Sequence, residues 1–462
     1  MSLRPRQIQA IDDLRQAYGT GKRTPILRAP TGFGKTHTTA EIIKNAVSRG
    51  KRVWFTAHLR ELLLDTSKRL TSSGIPHSFI CAGYPMGLKQ AVQVVSAETL
   101  MRRLGKIPRD LWPDLLIVDE AHVGMDRTKK LQDALGNPLS LLLTATPSRL
   151  DGRGLGEISD TIIETCGTQE LIDEGLLVPI RYFAPSAVNL TGIKQRAGDY
   201  AQDELAAAMD KPAITGSAVS HYRKLAHRRP AVAFCVSLDH AEHTAAEFRA
   251  SGYRAMVVRG DSTELERSTA LKALANGTVD VVCNCQLWIA GVDCPAISCI
   301  ILLAPTQSLT RYLQSVGRGL RTHPDKKDCV ILDHANCAAT HGLPTEDREW
   351  SLDGARGKKS KRDPDDIPIK TCPDCFRVLR STVSVCECGH VFTPKGREIE
   401  VKDGELAEID LLAVRRERMR EQGSAQTLDD LRALAKAKGY KPGWADRIWQ
   451  ARQSKQSQKY FA

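Results

Sequence analysis

The sequence predicts an α/β protein with two tandem parallel-sheet lobes, then a small cysteine-rich module and a charged helical tail. Short continuous apolar runs alternate with longer amphipathic stretches, as expected of strands buried on both faces and joined by crossover helices. The alternation occurs twice along the chain. Beyond residue 345 it stops, and Gly, Lys, Arg and Asp replace the apolar runs.

The first lobe is expected over residues 1–178, with strands at 25–29, 52–56, 92–95, 115–118 and 140–144. The second is expected over 179–345, with strands at 231–235, 255–258, 279–283, 299–303 and 328–333, and residues 171–179 carrying the crossover. Residues 346–370 hold little to bury and read as a flexible linker. A ribbon-like module at 371–393 and a tail at 394–462, helical over 404–422 and 427–452, complete the organisation.

The bulk properties narrow the function classes. At 462 residues and 42% hydrophobic content, the chain can bury several sizeable cores. A formal charge of +12 favours a polyanionic partner, because clustered Lys and Arg release counterions on meeting phosphates. The apolar runs at 139–143 and 299–303 fall far short of the roughly 20 residues of a membrane helix. Residues 1–7 show no apolar core of signal-peptide length. A cytoplasmic protein with no membrane partner is therefore expected. Of thirteen cysteines, Cys81, Cys235, Cys283 and Cys299 sit singly in apolar runs and read as reduced, buried small hydrophobes.

Residues 29–36 read APTGFGKT between an expected strand and an expected helix. Thr31, Gly32 and Gly34 would form a loop whose N–H groups turn onto phosphate oxygens. Lys35 would reach the outer phosphates and Thr36 would hold Mg²⁺, with the helix N-terminus adding favourable potential. The alternative is a chance Gly-rich turn. At 115–122, LLIVDEAH ends a hydrophobic strand with Asp119, placed for Mg²⁺, and Glu120, placed to polarise a water. Solvated strand-end acids are the plainer alternative. Thr144 to Pro147 (TATP) end another strand, and their hydroxyls could couple such a site to lobe movement. In the second lobe, residues 314–321 read QSVGRGLR. Gln314, Arg318 and Arg321 fall on adjacent helical turns, suited to stabilising charge on a transferring phosphoryl group. An exposed basic helix is the alternative.

Together these segments resemble the motif series of superfamily 2 helicases of the DEAD/DEAH type, over about residues 3–335. The resemblance implies two RecA-like (P-loop NTPase) lobes sharing one ATP with Mg²⁺. It makes Gln7, in the RPRQ segment at 4–7, the reader of adenine, with Lys35, Asp119, Glu120, Gln314, Arg318 and Arg321 as the catalytic set. Residues 55–62 (FTAHLREL) and 95–100 (VSAETL) are similar to strand-contacting motifs, which makes Arg60 and Thr99 phosphate-contact candidates. Residues 288–295 (WIAGVDCP) resemble the next motif and keep Gly291 and Asp293, but Ile289 stands near its usual Thr and cannot make that hydrogen bond. The zinc-finger-like segment and residues 438–445 (KGYKPGWA) look like bacterial RadD-type repair helicases and their phage relatives, and this favours DNA over RNA.

Cys372 and Cys375, followed by Cys386 and Cys388, form two knuckles of the kind that hold Zn²⁺ through four thiolates. His390 could replace Cys388 as fourth ligand, and a reduced, metal-free loop is the plainer reading. Zinc would supply much of the folding energy of so short a module. It could hold nucleic acid or a protein partner, or only pack on the motor. In the tail, Tyr440, Trp444 and Trp449 lie among Lys436, Lys438, Lys441 and Arg447, suited either to stacking on bases or to packing inward. The expected function is an ATP-dependent DNA helicase or translocase of repair or replication. Two rivals remain: an ATP-toggled remodeller that separates no strands, and the motor subunit of a restriction system. The second lacks a nuclease signature in this sequence.

Overall fold

The structure, a computed structural model, describes residues 3–149, 152–184, 212–285 and 294–353, with shorter pieces at 195–196, 199–200, 205, 209–210 and within 369–449. Trp288, Ile289, Gly291, Asp293, Cys372, Cys375, Cys386, Cys388, His390, Tyr440 and Trp444 lie outside the described residues.

The first lobe is built from α1 (Pro5–Gly19), β1 (Pro25–Arg28), α2 (Lys35–Val47), β2 (Val53–Ala57), α3 (Arg60–Ser72), β3 (His77–Ile80), β4 (Val92–Val95), α4 (Ala97–Arg103), β5 (Leu115–Asp119), α5 (Met125–Ala134), β6 (Leu139–Thr144), β7 (Thr161–Glu164) and α6 (Thr168–Asp173). Its sheet runs β3-β4-β2-β5-β6-β1-β7 with every pair parallel. The expected strands fall in place because their Val, Leu and Ile side chains are buried, with Ile26, Trp54, Leu116 and Leu142 fully so. The edge strands β3 and β7 escape the pattern because their side chains are mostly half-buried and their apolar runs short.

After β8 (Ile180–Ala184) and a hairpin of β9 (Gln195–Arg196) and β10 (Asp199–Tyr200) come α7 (Pro212–Leu225), β11 (Ala231–Cys235), α8 (Leu238–Ala250), β12 (Ala255–Val258), α9 (Glu264–Ala275), β13 (Val281–Cys285), β14 (Cys299–Leu302), α10 (Leu309–Arg318), β15 (Cys329–Asp333) and α11 (Cys337–His341). The parallel order β12-β13-β11-β14-β15 forms the second lobe. Cys81, Cys235, Cys283 and Cys299 are free and buried, as small hydrophobes should be. Among the described residues, no helix is long and apolar enough to cross a membrane.

Two expectations need correction. The start of the supposed flexible linker is docked. Trp350 lies under the Arg28 guanidinium, 5.4 Å from its ring centre. The Leu352 carbonyl accepts from Gly156 N–H at 2.9 Å, and its side chain packs on the first lobe's core. Two apolar side chains thus anchor a segment that its charge made look unstructured. The tail is also not uniformly helical over 404–422. Ala407–Ile409 form a strand, β18, antiparallel to β8, because an open sheet edge offers hydrogen bonds that outweigh weak local helix propensity.

Residues 181–186 and 358–462 form a separate compact unit. It holds the β8–β18 pair, an antiparallel hairpin of β16 (Ile369–Thr371) and β17 (Val378–Arg380), and α12 (Leu428–Lys438). Here Trp449 packs against a small cluster around Leu431 and Ala445, which favours the inward reading for that residue.

The packing around α10 gives a stability test. A Cβ on Gly319 would sit 2.5 Å from Cys329 Sγ and 2.8 Å from Ile300 Cγ1, whereas one on Gly105 meets nothing within 4 Å. Gly319→Ala should cost about 1–3 kcal/mol through overpacking, read as a lower urea midpoint. Gly105→Ala should leave the midpoint almost unchanged, and equal shifts in the two variants would refute the packing described.

Candidate functional site

The carboxyl ends of β1, β5 and β6 lie side by side, with β6 in the middle of the three. Open parallel sheets bind ligands in the crevice beyond such ends. The loop after β1 takes its shape from Gly32 and Gly34, at φ +88° and +93°, values that only glycine adopts freely. Gly34 caps α2, so Lys35 and Thr36 open the helix with their backbone N–H groups directed into the crevice. Lys35, Thr36 and Asp119 line one cavity together.

Gln7 stands directly against the phosphate loop. Its side chain is buried, and its amide donates to the carbonyl of Phe33 at 3.0 Å and to that of Gly34 at 3.4 Å. Its carbonyl oxygen accepts from Arg4 N–H at 3.0 Å. In this arrangement Gln7 braces the phosphate loop. Arg4 reinforces the brace by donating to the Gly32 carbonyl at 3.4 Å.

At the end of β5, Lys35 Nζ lies 3.6 Å from Glu120 Oε1. Glu120 has φ +49°, uncommon for a non-glycine residue and often found where a functional site stores strain. Its N–H donates to Asp119 Oδ1 at 3.0 Å. The two acids are driven apart in pKa. Burial, and then the Glu120 charge, raise the Asp119 carboxyl to about 6, against the pull of Lys35. Burial also raises Glu120, but Lys35, His122, Arg318 and His58 outweigh it, so this carboxyl stays below its ordinary range.

His122 joins this pair to the β6 segment. Burial lowers its ring to about 4, so it is neutral near pH 7. Thr144 Oγ1 donates to the Thr146 carbonyl at 3.0 Å, which leaves that oxygen to accept from Thr146 N–H and from His122 Nδ1, 2.8 Å away. The assigned tautomer is therefore Nδ1–H, with Nε2 as an acceptor. Gln314 Nε2, on α10 of the second lobe, lies 3.5 Å from both His122 Nε2 and Glu120 Oε2 and is oriented to donate to each. These contacts are long, near the limit for a hydrogen bond.

The second lobe also meets the phosphate loop directly. A Cβ on Gly317 would lie 2.9 Å from Thr31 Oγ1, so only glycine permits this approach. Arg318, one residue on, is near enough for its charge to lower Glu120. The segments at 29–36, 119–122, 144–147 and 314–318 are therefore gathered at one place. Arg321 is fixed through its backbone, which bridges Leu177 and accepts at its carbonyl from Lys326 Nζ at 2.9 Å. Lys326 also donates to the carbonyls of Pro295 and Ile297, and burial lowers its amine to about 8. No motif pointed to Lys326, since a lone lysine in a loop gives no sequence signal.

Arg60 and Thr99 stand just beyond β2 and β4, adjacent strands of the first sheet. Arg60 lies over the Tyr84 ring at 5.8 Å, and Thr99 is held in the first turn of α4 by Ser96. Both share a sheet edge with the crevice while remaining outside it.

Comparison with known proteins agrees with this architecture. Residues 1–149 match the family "Type III restriction enzyme, res subunit", and residues 216–323 match "Helicase conserved C-terminal domain". A 51.5 kDa protein of a Lactococcus phage (isolate 7-9) is 30% identical, over 84% of this chain and 82% of its own length. IRC3 of Saccharomyces cerevisiae, described as a candidate ATP-dependent helicase, is 27% identical over 72% of this chain, which spans 51% of the yeast protein. Among solved structures, the ATP-dependent Type ISP restriction-modification enzyme LlaBIII bound to DNA superposes with a TM-score of 0.53 at 19% identity, covering 72% of this chain and 28% of that one. The chain belongs to the superfamily 2 helicases, ATP-hydrolysing enzymes built on two RecA-like lobes.

The raised Asp119 carboxyl gives a pH prediction. Its value in the fold exceeds the ordinary 3.8, so its contribution to stability is full below about 4 and is lost as pH rises through about 6. Relative to Asp119→Asn, the wild-type protein should therefore lose urea resistance across that interval. Parallel curves for the two proteins would refute the shift.

Proposed function

We propose that the chain is a DNA-dependent ATPase motor in which hydrolysis requires α10 of the second lobe to sit against the phosphate loop and the Asp119–Glu120 pair. The observation that carries this is Gln314 reaching Glu120 and His122 from the opposite lobe. Lys35 and the N–H groups opening α2 bind the outer phosphates. The donor set of Thr36 hydroxyl and Asp119 carboxylate is hard oxygen, as Mg²⁺ prefers, and Mg²⁺ would neutralise charge on the phosphates. Glu120, held ionised, accepts a proton from the attacking water as its oxygen bonds to the terminal phosphorus and the bond to ADP breaks. Gln314 helps to orient that water, and Arg318 stabilises the developing charge. Arg321 shapes the far end of the α10 segment.

A net charge of +12 and the placement of Arg60 and Thr99 at one sheet edge support a nucleic-acid track. DNA is favoured because the structural relative named above was solved with DNA. The match to a restriction-enzyme motor family keeps the restriction-subunit reading in view beside a repair helicase. Zinc in the cysteine module is supported by spacing. Cys372 and Cys375 fall between β16 and β17, and Cys386 and Cys388 fall between the bridged residues Val385 and Val391.

Lys35→Ala should abolish DNA-stimulated phosphate release, and appreciable turnover would remove this loop from the mechanism. Glu120→Gln should still bind ATP but turn over about a hundredfold or more slowly. Displacement of a labelled strand from a forked duplex separates helicase from remodeller, since ATPase activity without displacement identifies the latter. Metal analysis of the purified protein should find about one zinc per chain, and none would overturn the ribbon assignment.

A further inference from the structure

We infer that Asp199, in the β9–β10 hairpin of the second lobe, is a positioning residue for ATP hydrolysis: it clamps the start of α10 and so sets where Gln314 and Arg318 stand. The inference rests on the proposed roles of those two residues. None of the sequence motifs includes Asp199.

The carboxylate converges on the loop that starts α10. Asp199 Oδ2 accepts from the Thr306 hydroxyl at 2.7 Å and from Arg311 Nη1 at 3.1 Å. Oδ1 accepts from Gln307 N–H at 2.7 Å. The neighbouring Tyr200 hydroxyl accepts from the Gln307 side-chain amide. Thr306 Oγ1 in turn accepts from Ser308 N–H at 3.0 Å, and Ser308 caps α10 through Arg311 N–H. One anion thus holds three donors at the positive end of a ten-residue helix.

The geometry of the helix carries this anchorage to the catalytic face. Arg311, Gln314 and Arg318 are three and four residues apart, so they share one face of α10. Fixing Arg311 and the helix cap fixes both the height of α10 and its rotation about its own axis. The Asp199–Arg311 pair also neutralises a cation that shares a face with Arg318. Beneath the hairpin is a mainly apolar cavity lined by Tyr200, Leu205, Phe234, Val236, Ala304 and Tyr312. The clamp thus adds a polar anchor at the start of α10 to the burial of Tyr312 and Val316, which packs the body of the helix into the second lobe.

The test is DNA-stimulated ATPase kinetics on full-length Asp199→Ala, Arg318→Ala and the double variant. Asp199→Ala should lower kcat about tenfold or more while KM for ATP changes less than about twofold, since misplacement by a fraction of an ångström penalises chemistry rather than binding. Adding Asp199→Ala to Arg318→Ala should cost clearly less than Asp199→Ala costs alone, because part of the clamp's effect acts through Arg318 and only the part through Gln314 is left to lose. Losses that multiply in the double variant, or an unchanged kcat in Asp199→Ala beside a defective Arg318→Ala, would overturn the clamp alone. Full turnover in Arg318→Ala would overturn the role of Arg318, and the clamp with it. Should Asp199→Ala not fold, Asp199→Asn keeps the shape and removes the charge, and the same kinetic split is required of it.

Discussion

The approach of α10 to the phosphate loop is the constraint on which the rest of the molecule depends. It needs a residue without a side chain at position 317, because Thr31 occupies the space a Cβ would take. It brings a neutral amide, Gln314, to a carboxylate and an imidazole of the other lobe. Burying a charge there would require a partner, whereas an amide can donate to both at little desolvation cost. The separation in pKa between Asp119 and Glu120 belongs to the same arrangement, since cations close by hold Glu120 ionised while burial and the Glu120 charge act on Asp119.

Most of the sheet framework was legible in the sequence because parallel strands buried on both faces are written as unbroken apolar runs. The central strands β1, β2, β5 and β6, and the five parallel strands β11 to β15 of the second lobe, could be located that way. The edge strands β3 and β7 could not, since an edge has less to bury and its composition resembles a loop. Within the site, glycines and acids at strand ends were legible because spacing alone brings them together. Pairings across the lobes were less so. That Gln7 braces the loop, and that Asp199 anchors α10, depends on which surfaces meet after folding. No local pattern encodes either.

The buried hydrogen-bonded chain from Gln314 through His122 to Thr144 and Thr146 shows how separated segments form one unit. The imidazole and the Thr144 hydroxyl have their donors and acceptors assigned once the tautomer is fixed, while the buried Thr146 hydroxyl has no partner among the described residues. The linked groups tolerate few alternative geometries, because a broken link leaves a buried group unpaired. The network therefore favours discrete arrangements of the lobes over continuous drift.

The docking of Trp350 and Leu352 on the first lobe has a topological consequence. The chain leaves the first lobe, builds the second and returns, so the second lobe is an insertion tethered at both of its ends. A body held by one strand of chain can swivel in any direction. One held by two can turn freely only about the line that joins its attachments, so lobe motion is reduced towards a single door-like axis.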